Sequence, residues 1–154
     1  MKIIVIRHGD AIYENADRVL SSQGEEEVGL VGAKLKEFFN ATKIYSSPKT
    51  RAMQTASIVA DSLGFKDKIE YIPDLTPAGN AHNVISFIDV NCDMYDNVIL
   101  VSHLPLVEIL SYDLNQKITI PPQFGTGCAL VMDYNGVRAK YERFVSPYEN
   151  DYLF

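Results

Sequence analysis

The run Lys2-Ile3-Ile4-Val5-Ile6-Arg7-His8-Gly9 is the stretch from which the fold of this chain can be inferred. Ile3 to Ile6 is an unbroken apolar segment, too short for a helix and rich in β-branched residues, which indicates a strand buried on both faces of a parallel sheet. Arg7, His8 and Gly9 follow at once. Ligands of open α/β sheets bind just outside the carboxyl ends of central strands. A cation, a potential nucleophile and a flexible backbone joint at this place predict an anion-processing site.

The bulk composition describes an ordinary globular protein. The 154 residues fit a single domain, 1–154, with 47% hydrophobic and 22% charged residues. A formal net charge of −6 disfavours nucleic acid and anionic lipid as partners. No segment approaches the ~18 apolar residues of a membrane span, and no export signal is visible. We therefore expect a cytoplasmic protein that binds neither nucleic acid nor membranes. We also expect it to be a monomer.

The cysteines and histidines do not suggest a metal site. Cys92 and Cys128 lack a framework spacing and are expected to be reduced thiols, although a disulfide between them stays open. With three histidines and two separated cysteines, no zinc-ligand cluster stands out, so neither a metal nor a cofactor is expected. His82 lies near a predicted helix start, where a surface or capping role is expected.

Strand and helix patterns alternate in the first half of the chain. Residues 11–20 are predicted to form a polar loop that contains Arg18. Ser22-Gln23-Gly24-Glu25 has capping-box spacing and predicts a first helix up to about Phe39. A second strand is predicted at 43–46. Ser47 should then cap a second helix that has Pro48 at its first position and ends at Gly64.

The second half repeats this alternation and then changes. A third strand is predicted at 69–72, and Asn80 should cap a helix through about Val90. The apolar strand 97–102 ends just before His103, and Leu104-Pro105 should begin a fourth helix. Tyr134-Asn135-Gly136 between two strand-like runs predicts a hairpin.

These elements predict an α/β three-layer sandwich. Its central sheet should be mostly parallel with an antiparallel edge hairpin, and helices should cover both faces. The aromatic tail 148–154 is expected to pack on the body or to fray.

This topology places two histidines together. His8 and His103 follow the two most apolar strands, and right-handed crossovers bring such strand ends to one rim of the sheet. Arg7 precedes His8, and Arg51 falls in the first turn of the second helix, where the dipole favours anions. Guanidinium groups match phosphoryl oxygens, and a neutral imidazole can attack phosphorus. His103, if protonated, would add a third charged donor.

Several motifs at this rim resemble those of one family. They are Arg7-His8-Gly9, Arg18-Val19-Leu20-Ser21 with Gly24, Ser47-Pro48-Lys49-Thr50-Arg51-Ala52 with Gln54-Thr55, and Ser102-His103. Their ordered combination resembles the histidine phosphatase superfamily over residues 1 to about 147. The resemblance implies a phosphoglycerate mutase-like fold in a minimal version without a lid, and metal-independent phosphatase activity.

The resemblance also implies roles for individual residues. His8 would be the nucleophile, and Arg7, Arg51 and His103 would complete the phosphate pocket. Arg18 would be an additional substrate contact, and we assign Gly9 and Leu104 to substrate binding as well. The chain departs from the family at Val19, where proline is usual, which bears on the loop and on Arg18.

The expected substrate class depends in part on whether the site contains a general acid. Larger members of the superfamily have an acidic residue that protonates the leaving oxygen; Asp74 and Asp10 are the candidates here, each with a plain structural alternative as a turn or cap residue. Without such an acid, an imidazole leaving group is favoured over an alkoxide. We therefore expect a protein phosphohistidine phosphatase whose partner, by the resemblance, is a histidine phosphotransfer domain. A small-molecule phosphomonoesterase or mutase and a non-catalytic phosphohistidine-binding module remain alternatives.

Overall fold

The computed structural model describes all residues, 1–154, as nine strands and four α-helices. The strands are β1 (Lys2–Arg7), β2 (Ala11–Glu14), β3 (Asp17–Leu20), β4 (Lys43–Ser46), β5 (Glu70–Tyr71), β6 (Asn97–Ser102), β7 (Ala129–Tyr134), β8 (Ala139–Val145) and β9 (Tyr152–Leu153). The helices are α1 (Ser22–Lys36), α2 (Thr50–Leu63), α3 (Ala81–Asn91) and α4 (Leu106–Leu114).

Seven strands form a mixed central sheet in the order β5-β4-β6-β1-β7-β8-β9. The first four in this order run parallel, whereas β7, β8 and β9 continue the sheet in antiparallel fashion. This arrangement confirms the predicted α/β fold with an antiparallel side. It places β1 at the centre, between β6 and β7, as its apolar run indicated.

Two apolar layers cover the sheet. Successive side chains of a strand point to opposite faces. Ile4 and Ile6 therefore pack in the layer that contains Val31 of α1 and residues of α2. Ile3 and Val5 lie in the other layer, with residues of α3 and α4. The three-layer sandwich predicted from the sequence is confirmed.

The segment 11–20 is a β-hairpin, so the prediction of a polar loop was wrong. Strands β2 and β3 pair in antiparallel register from Ala11 with Leu20 to Glu14 with Asp17. Asn15 and Ala16 have positive φ angles at the turn, as two-residue hairpins require. Most of the hairpin is exposed, with only Leu20 buried. It therefore lacks the apolar alternation by which strands are recognised.

Two helix starts differ from the predicted ones. The cap of α1 is Ser21 rather than Ser22, and its hydroxyl accepts a hydrogen bond from the Gly24 amide at 2.9 Å. Helix α2 begins at Thr50 with Lys49 as its cap, so neither Ser47 nor Pro48 belongs to it. Ser47 is buried, and its hydroxyl is hydrogen-bonded to Nε2 of His103 and to the Lys49 amide.

Other local predictions are confirmed. Gly64 ends α2 in the left-handed conformation, at φ 66°, and Asn80 caps α3 through the Asn83 amide. The tail packs on the body, and part of it adds β9 to the edge of β8. Cys92 and Cys128 are both free thiols. None of the helices combines the length and the apolar character needed to cross a membrane.

Candidate active site

His8 and His103 meet at the carboxyl ends of two adjacent parallel strands. β1 and β6 pair in register up to Arg7 opposite Ser102, and the His8 amide donates to the Ser102 carbonyl at 2.9 Å. The imidazole ring centroids are 5.0 Å apart, and the two residues are only 4% and 1% exposed. The predicted approach of these two side chains is therefore present.

The hydrogen bonds of His8 determine which ring nitrogen carries its proton. Nδ1 lies 2.7 Å from the Gly9 carbonyl oxygen, which can only accept, so Nδ1 is protonated. Nε2 faces the Nε–H of Arg51 at 3.4 Å and accepts from it. Burial, together with the charges of Arg51, Arg7 and Arg18, lowers the pKa of His8 to about 4. His8 is therefore neutral at pH 7, with a lone pair on Nε2.

Three arginines contribute positive charge to this site. Arg7 donates from Nη1 to the Phe124 carbonyl at 3.0 Å, while its buried Nε has no partner. Burial lowers the pKa of both Arg7 and Arg51, and the charge of Arg18 acts on both in the same direction. Arg18 lies on β3, 5.7 Å above the Tyr13 ring. The hairpin thus brings Arg18 to the same site as the two predicted pocket arginines.

Gly9 lies so close to α1 that there is no space for a larger side chain. A Cβ at this residue would lie 2.7 Å from Val28 Cγ2, and the backbone has no positive φ there. The sequence interpretation of Gly9 as a flexible backbone joint therefore gives the wrong physical reason. The Gly9 amide also donates to Thr55 Oγ1 at 3.1 Å, and the Thr55 hydroxyl donates to the Arg51 carbonyl at 2.8 Å. Thr55 thereby connects the segment that follows His8 to the helix that carries Arg51.

His103 has one bonded and one free ring nitrogen. Its Nε2 is 2.8 Å from Ser47 Oγ, and its Nδ1 is buried without a partner. Burial, followed by the influence of His8 and Arg51, lowers the pKa of His103 to about 3. The imidazole is therefore neutral at pH 7, and the charged donor considered from the sequence does not form in this setting.

The two acidic candidates are engaged in local structure. Asp10 accepts from the Ser21 hydroxyl at 2.7 Å, next to the start of α1. Asp74 accepts from the Asn80 amide at 3.4 Å, within the turn before α3. Neither carboxylate is bonded to a histidine or arginine of the site.

Two further predicted positions lie at the surface. Leu104 follows His103 directly and is 36% exposed. His82 lies apart from the site, with its side chain 81% exposed and 3.9 Å from Asp113, which confirms its surface position.

Sequence reasoning missed the contributions of Ser47 and Thr55. Ser47 was interpreted as a helix cap, and Thr55 was noted only as part of a family motif. A signal for Ser47 was nevertheless available, since it follows β4, a strand whose carboxyl end lies at the same rim as His103. Thr55 lies one turn after Arg51, on the same face of α2.

This fold and this rim define a class of phosphate-processing enzymes, and comparisons with known proteins identify the family. The histidine phosphatase superfamily (branch 1) matches residues 3–77. The phosphohistidine phosphatase SixA of Escherichia coli (strain K12) is 32% identical over 143 residues, which cover 88% of each chain. The SixA homolog of Haemophilus influenzae is 36% identical over 129 residues, covering 76% of this chain and 79% of the homolog.

A solved structure agrees with these sequence matches. The structure of the protein histidine phosphatase SixA complexed with tungstate superposes with a TM-score of 0.87, at 30% identity, over 96% of this chain and 97% of the other. The chain therefore belongs to the histidine phosphatase superfamily. It is a hydrolase of a family whose phosphatase activity is metal-independent.

Proposed function

We propose that this phosphatase removes the phosphoryl group from a histidine of a phosphorylated protein, through a phosphohistidine intermediate on His8. The observation that carries the proposal is the lone pair of His8 Nε2, directed at Arg51 while Nδ1–H is held by the Gly9 carbonyl. An uncharged nitrogen facing a guanidinium is suited to a phosphoryl group that arrives with its negative oxygens. The similarity to two proteins named phosphohistidine phosphatase supports the substrate class.

The first step transfers the phosphoryl group to the enzyme. His8 Nε2 attacks phosphorus, the phosphorus–nitrogen bond of the substrate breaks, and its electron pair returns to the substrate imidazole, which takes a proton from solvent. Arg7, Arg51 and His103 hold the phosphoryl oxygens in this proposal, and Arg18 adds a contact from the hairpin. Phosphoryl transfer depends mainly on such positioning and charge neutralisation.

The second step returns His8 to its initial state. Water attacks the phosphorus of phosphorylated His8, the new phosphorus–nitrogen bond breaks with its electron pair returning to Nε2, and inorganic phosphate leaves with one proton of the water while the other returns to solvent. His8 keeps its proton on Nδ1 throughout, because that proton stays bonded to the Gly9 carbonyl. The nucleophile is thereby regenerated without an external base at His8.

The leaving group explains why an imidazole substrate suits this site. General acid catalysis is typically worth ~10²–10⁴ in rate when a poor leaving group departs. Asp10 and Asp74, the two candidate acids, are bonded to Ser21 and Asn80 instead. Imidazole leaves phosphorus more readily than an alkoxide and can be protonated by water, so phosphohistidine is the better substrate.

The surroundings of the site suit a folded partner. Leu104, Ile12 and Tyr13 are 36%, 49% and 79% exposed on segments that adjoin the site residues. A histidine phosphotransfer domain presents its phosphohistidine on a protein surface, and we propose this type of domain as the substrate. All the proposed site residues come from one chain, so we propose that a monomer is active. The free thiols agree with a cytoplasmic location.

One assay across substrates tests the proposal. The purified protein would be incubated with a phosphorylated histidine phosphotransfer domain, a phosphoserine protein and a small sugar phosphate, with phosphate release measured for each. We expect fastest turnover of the phosphohistidine protein and a transient acid-labile label on His8. Faster turnover of the sugar phosphate would favour the small-molecule alternative. Tight binding without release would favour a non-catalytic module.

A further inference from the structure

Ser47 is the only side chain hydrogen-bonded to His103, and its position is fixed by the backbone. Ser47 follows β4, the neighbour of β6, and its amide donates to the Val101 carbonyl at 2.9 Å. Its own carbonyl accepts from the Ser46 hydroxyl at 2.9 Å. The residue is fully buried. Its Oγ is therefore held in place, 2.8 Å from His103 Nε2.

The partners of the Ser47 hydroxyl decide the direction of this hydrogen bond. Ser47 Oγ accepts from the Lys49 amide at 3.2 Å, so one of its lone pairs is occupied. Its single hydrogen has one acceptor within reach, which is Nε2 of His103. If Nε2–H donated instead, the buried hydroxyl hydrogen would have no acceptor, and buried polar groups are rarely left in that condition.

It follows that the neutral imidazole of His103 carries its proton on Nδ1. That nitrogen is buried and has no partner within the protein. The ring lies 5.0 Å from that of His8. Around it are the cationic groups of Arg51, Lys49 and Arg18, each of which disfavours a second proton on the ring, as does His8. A phosphoryl oxygen beside His8 would supply the acceptor that Nδ1–H lacks.

We propose that Ser47 is a positioning residue that sets the tautomer of His103, so that an uncharged Nδ1–H is available to a phosphoryl oxygen. This inference rests on the proposed function for its catalytic consequence, although the tautomer itself is a property of the protein without substrate. With Nε2–H instead, a lone pair on Nδ1 would face the phosphoryl oxygen and repel it. The hydroxyl of Ser47 thus places the single N–H of neutral His103 on Nδ1, where it can donate to a phosphoryl oxygen.

The tautomer can be measured directly by long-range ¹H–¹⁵N spectroscopy of the histidine rings at pH 7. His103→Gln and His82→Gln variants would assign the signals. We expect wild-type His103 to show a protonated Nδ1 and an unprotonated Nε2. In Ser47→Ala the Nε2–H form should appear in part or in full. A wild-type His103 protonated on Nε2 would overturn the inference, whether or not Ser47→Ala folds.

Kinetics test the catalytic consequence. For Ser47→Ala we expect kcat on a phosphohistidine protein to fall by roughly 10- to 100-fold, less than the ~10⁴ caused by a histidine locked in the wrong tautomer in a serine protease. The loss should persist as the pH is lowered from 7 to 5, because a His103 with a pKa of about 3 stays neutral over this range and the neutral ring carries only one proton. A loss of kcat in Ser47→Ala with an unchanged His103 tautomer would contradict the inference.

A matched variant separates this role from simple loss of a buried hydroxyl. Ser111 is also fully buried, and its hydroxyl donates to the Val107 carbonyl at 2.7 Å within α4. Ser111→Ala should leave the His103 tautomer and the pH profile unchanged. If the wild type shows Nδ1–H on His103 but does not release phosphate from phosphohistidine, the proposed function fails and the tautomer assignment stands.

Discussion

Arg51 directs its Nε–H at Nε2 of His8 across 3.4 Å, although the two residues are 43 positions apart in the chain. The contact joins the start of α2 to the end of β1. This distance is long for a hydrogen bond to nitrogen, so breaking the contact when a phosphoryl group binds should cost little free energy. Before that moment it keeps a positive charge opposite the lone pair, which opposes protonation of His8.

Replacement of His8 should abolish turnover without unfolding the protein. We expect His8→Ala to release no phosphate above background, because it removes the Nε2 lone pair that faces Arg51. Its circular dichroism spectrum should match that of the wild type. His82→Ala is the matched control, since that side chain is 81% exposed and should be dispensable. Substantial activity in a folded His8→Ala protein would contradict the proposed intermediate.

The planar guanidinium of Arg51, with its paired N–H donors, should contribute to kcat in addition to its positive charge. Arg51→Lys keeps a cation but loses the paired donors, and we expect kcat to fall by ~10²–10³, as for loss of an oxyanion donor. Arg138→Lys, at an exposed position next to β8, should leave the kinetics unchanged. Steady-state phosphate release measures both. Equal kcat in Arg51→Lys and wild type would show that the paired donors of Arg51 do not stabilise the transition state.

Stability should depend on pH through the two site histidines. Their pKa values of about 4 and about 3 lie below the usual 6.5, so the unfolded chain binds protons between pH 4 and 6.5 that the folded protein does not. The free energy of unfolding should therefore rise with pH across that window and level off above it, as followed by urea denaturation.

Removal of the two histidines provides the comparison for that slope. In the double variant His8→Gln, His103→Gln the rise between pH 4 and 6.5 should be much reduced. Asp17 and Asp96, whose pKa values are lowered, act only at lower pH, where stability is lost as each carboxylate is protonated. An unchanged slope in the double variant would show that other groups cause it.

Thr55 should affect both stability and activity. Thr55→Val keeps the shape but leaves the buried Gly9 amide without its acceptor, which should cost about 1–3 kcal/mol of unfolding free energy. kcat should fall as well, since the link between Gly9 and Arg51 is lost. Thr55→Ser retains the hydroxyl and should keep most of the activity. Denaturant unfolding and phosphate release on all three proteins provide the test; identical behaviour of the Val and Ser variants would refute the link.

Two glycines of α1 should respond oppositely to alanine. A Cβ on Gly24 would lie 2.2 Å from the Asp10 carbonyl oxygen, and a backbone atom cannot easily move aside. We expect Gly24→Ala to lose about 3 kcal/mol, at the upper end of overpacking costs. A Cβ on Gly29 meets nothing within 4 Å, and Gly29→Ala should gain about 0.5–1 kcal/mol from helix propensity. Thermal denaturation compares them, and a stable Gly24→Ala protein would mean that the hairpin end can shift.

The parts of this protein that the sequence predicts are those with strong local signals. The apolar runs of β1 and β6 identify buried strands, and Asn80 and Gly64 mark helix ends through their own backbone chemistry. The meeting of His8 with His103 follows from topology alone.

The missed parts depend on tertiary contacts. The hairpin at 11–20 is exposed, so its strands carry no apolar alternation. Ser47 has the residue type and spacing of a helix cap, but the hydrogen bond to His103 decides where its hydroxyl points. Helix α2 begins at Thr50, with Lys49 as its cap. Side-chain pairing of this kind is not encoded within a short window of sequence.

The in-register pairing of β1 with β6 fixes the position of His8 relative to His103. A slip of one residue would move His8 by about 3.3 Å and turn it to the opposite face of the sheet. Evolution or engineering of new selectivity must therefore leave these strands untouched. Substitutions that alter selectivity are better tolerated in the hairpin formed by β2 and β3. This hairpin brings Arg18 to the site but is not part of the central sheet.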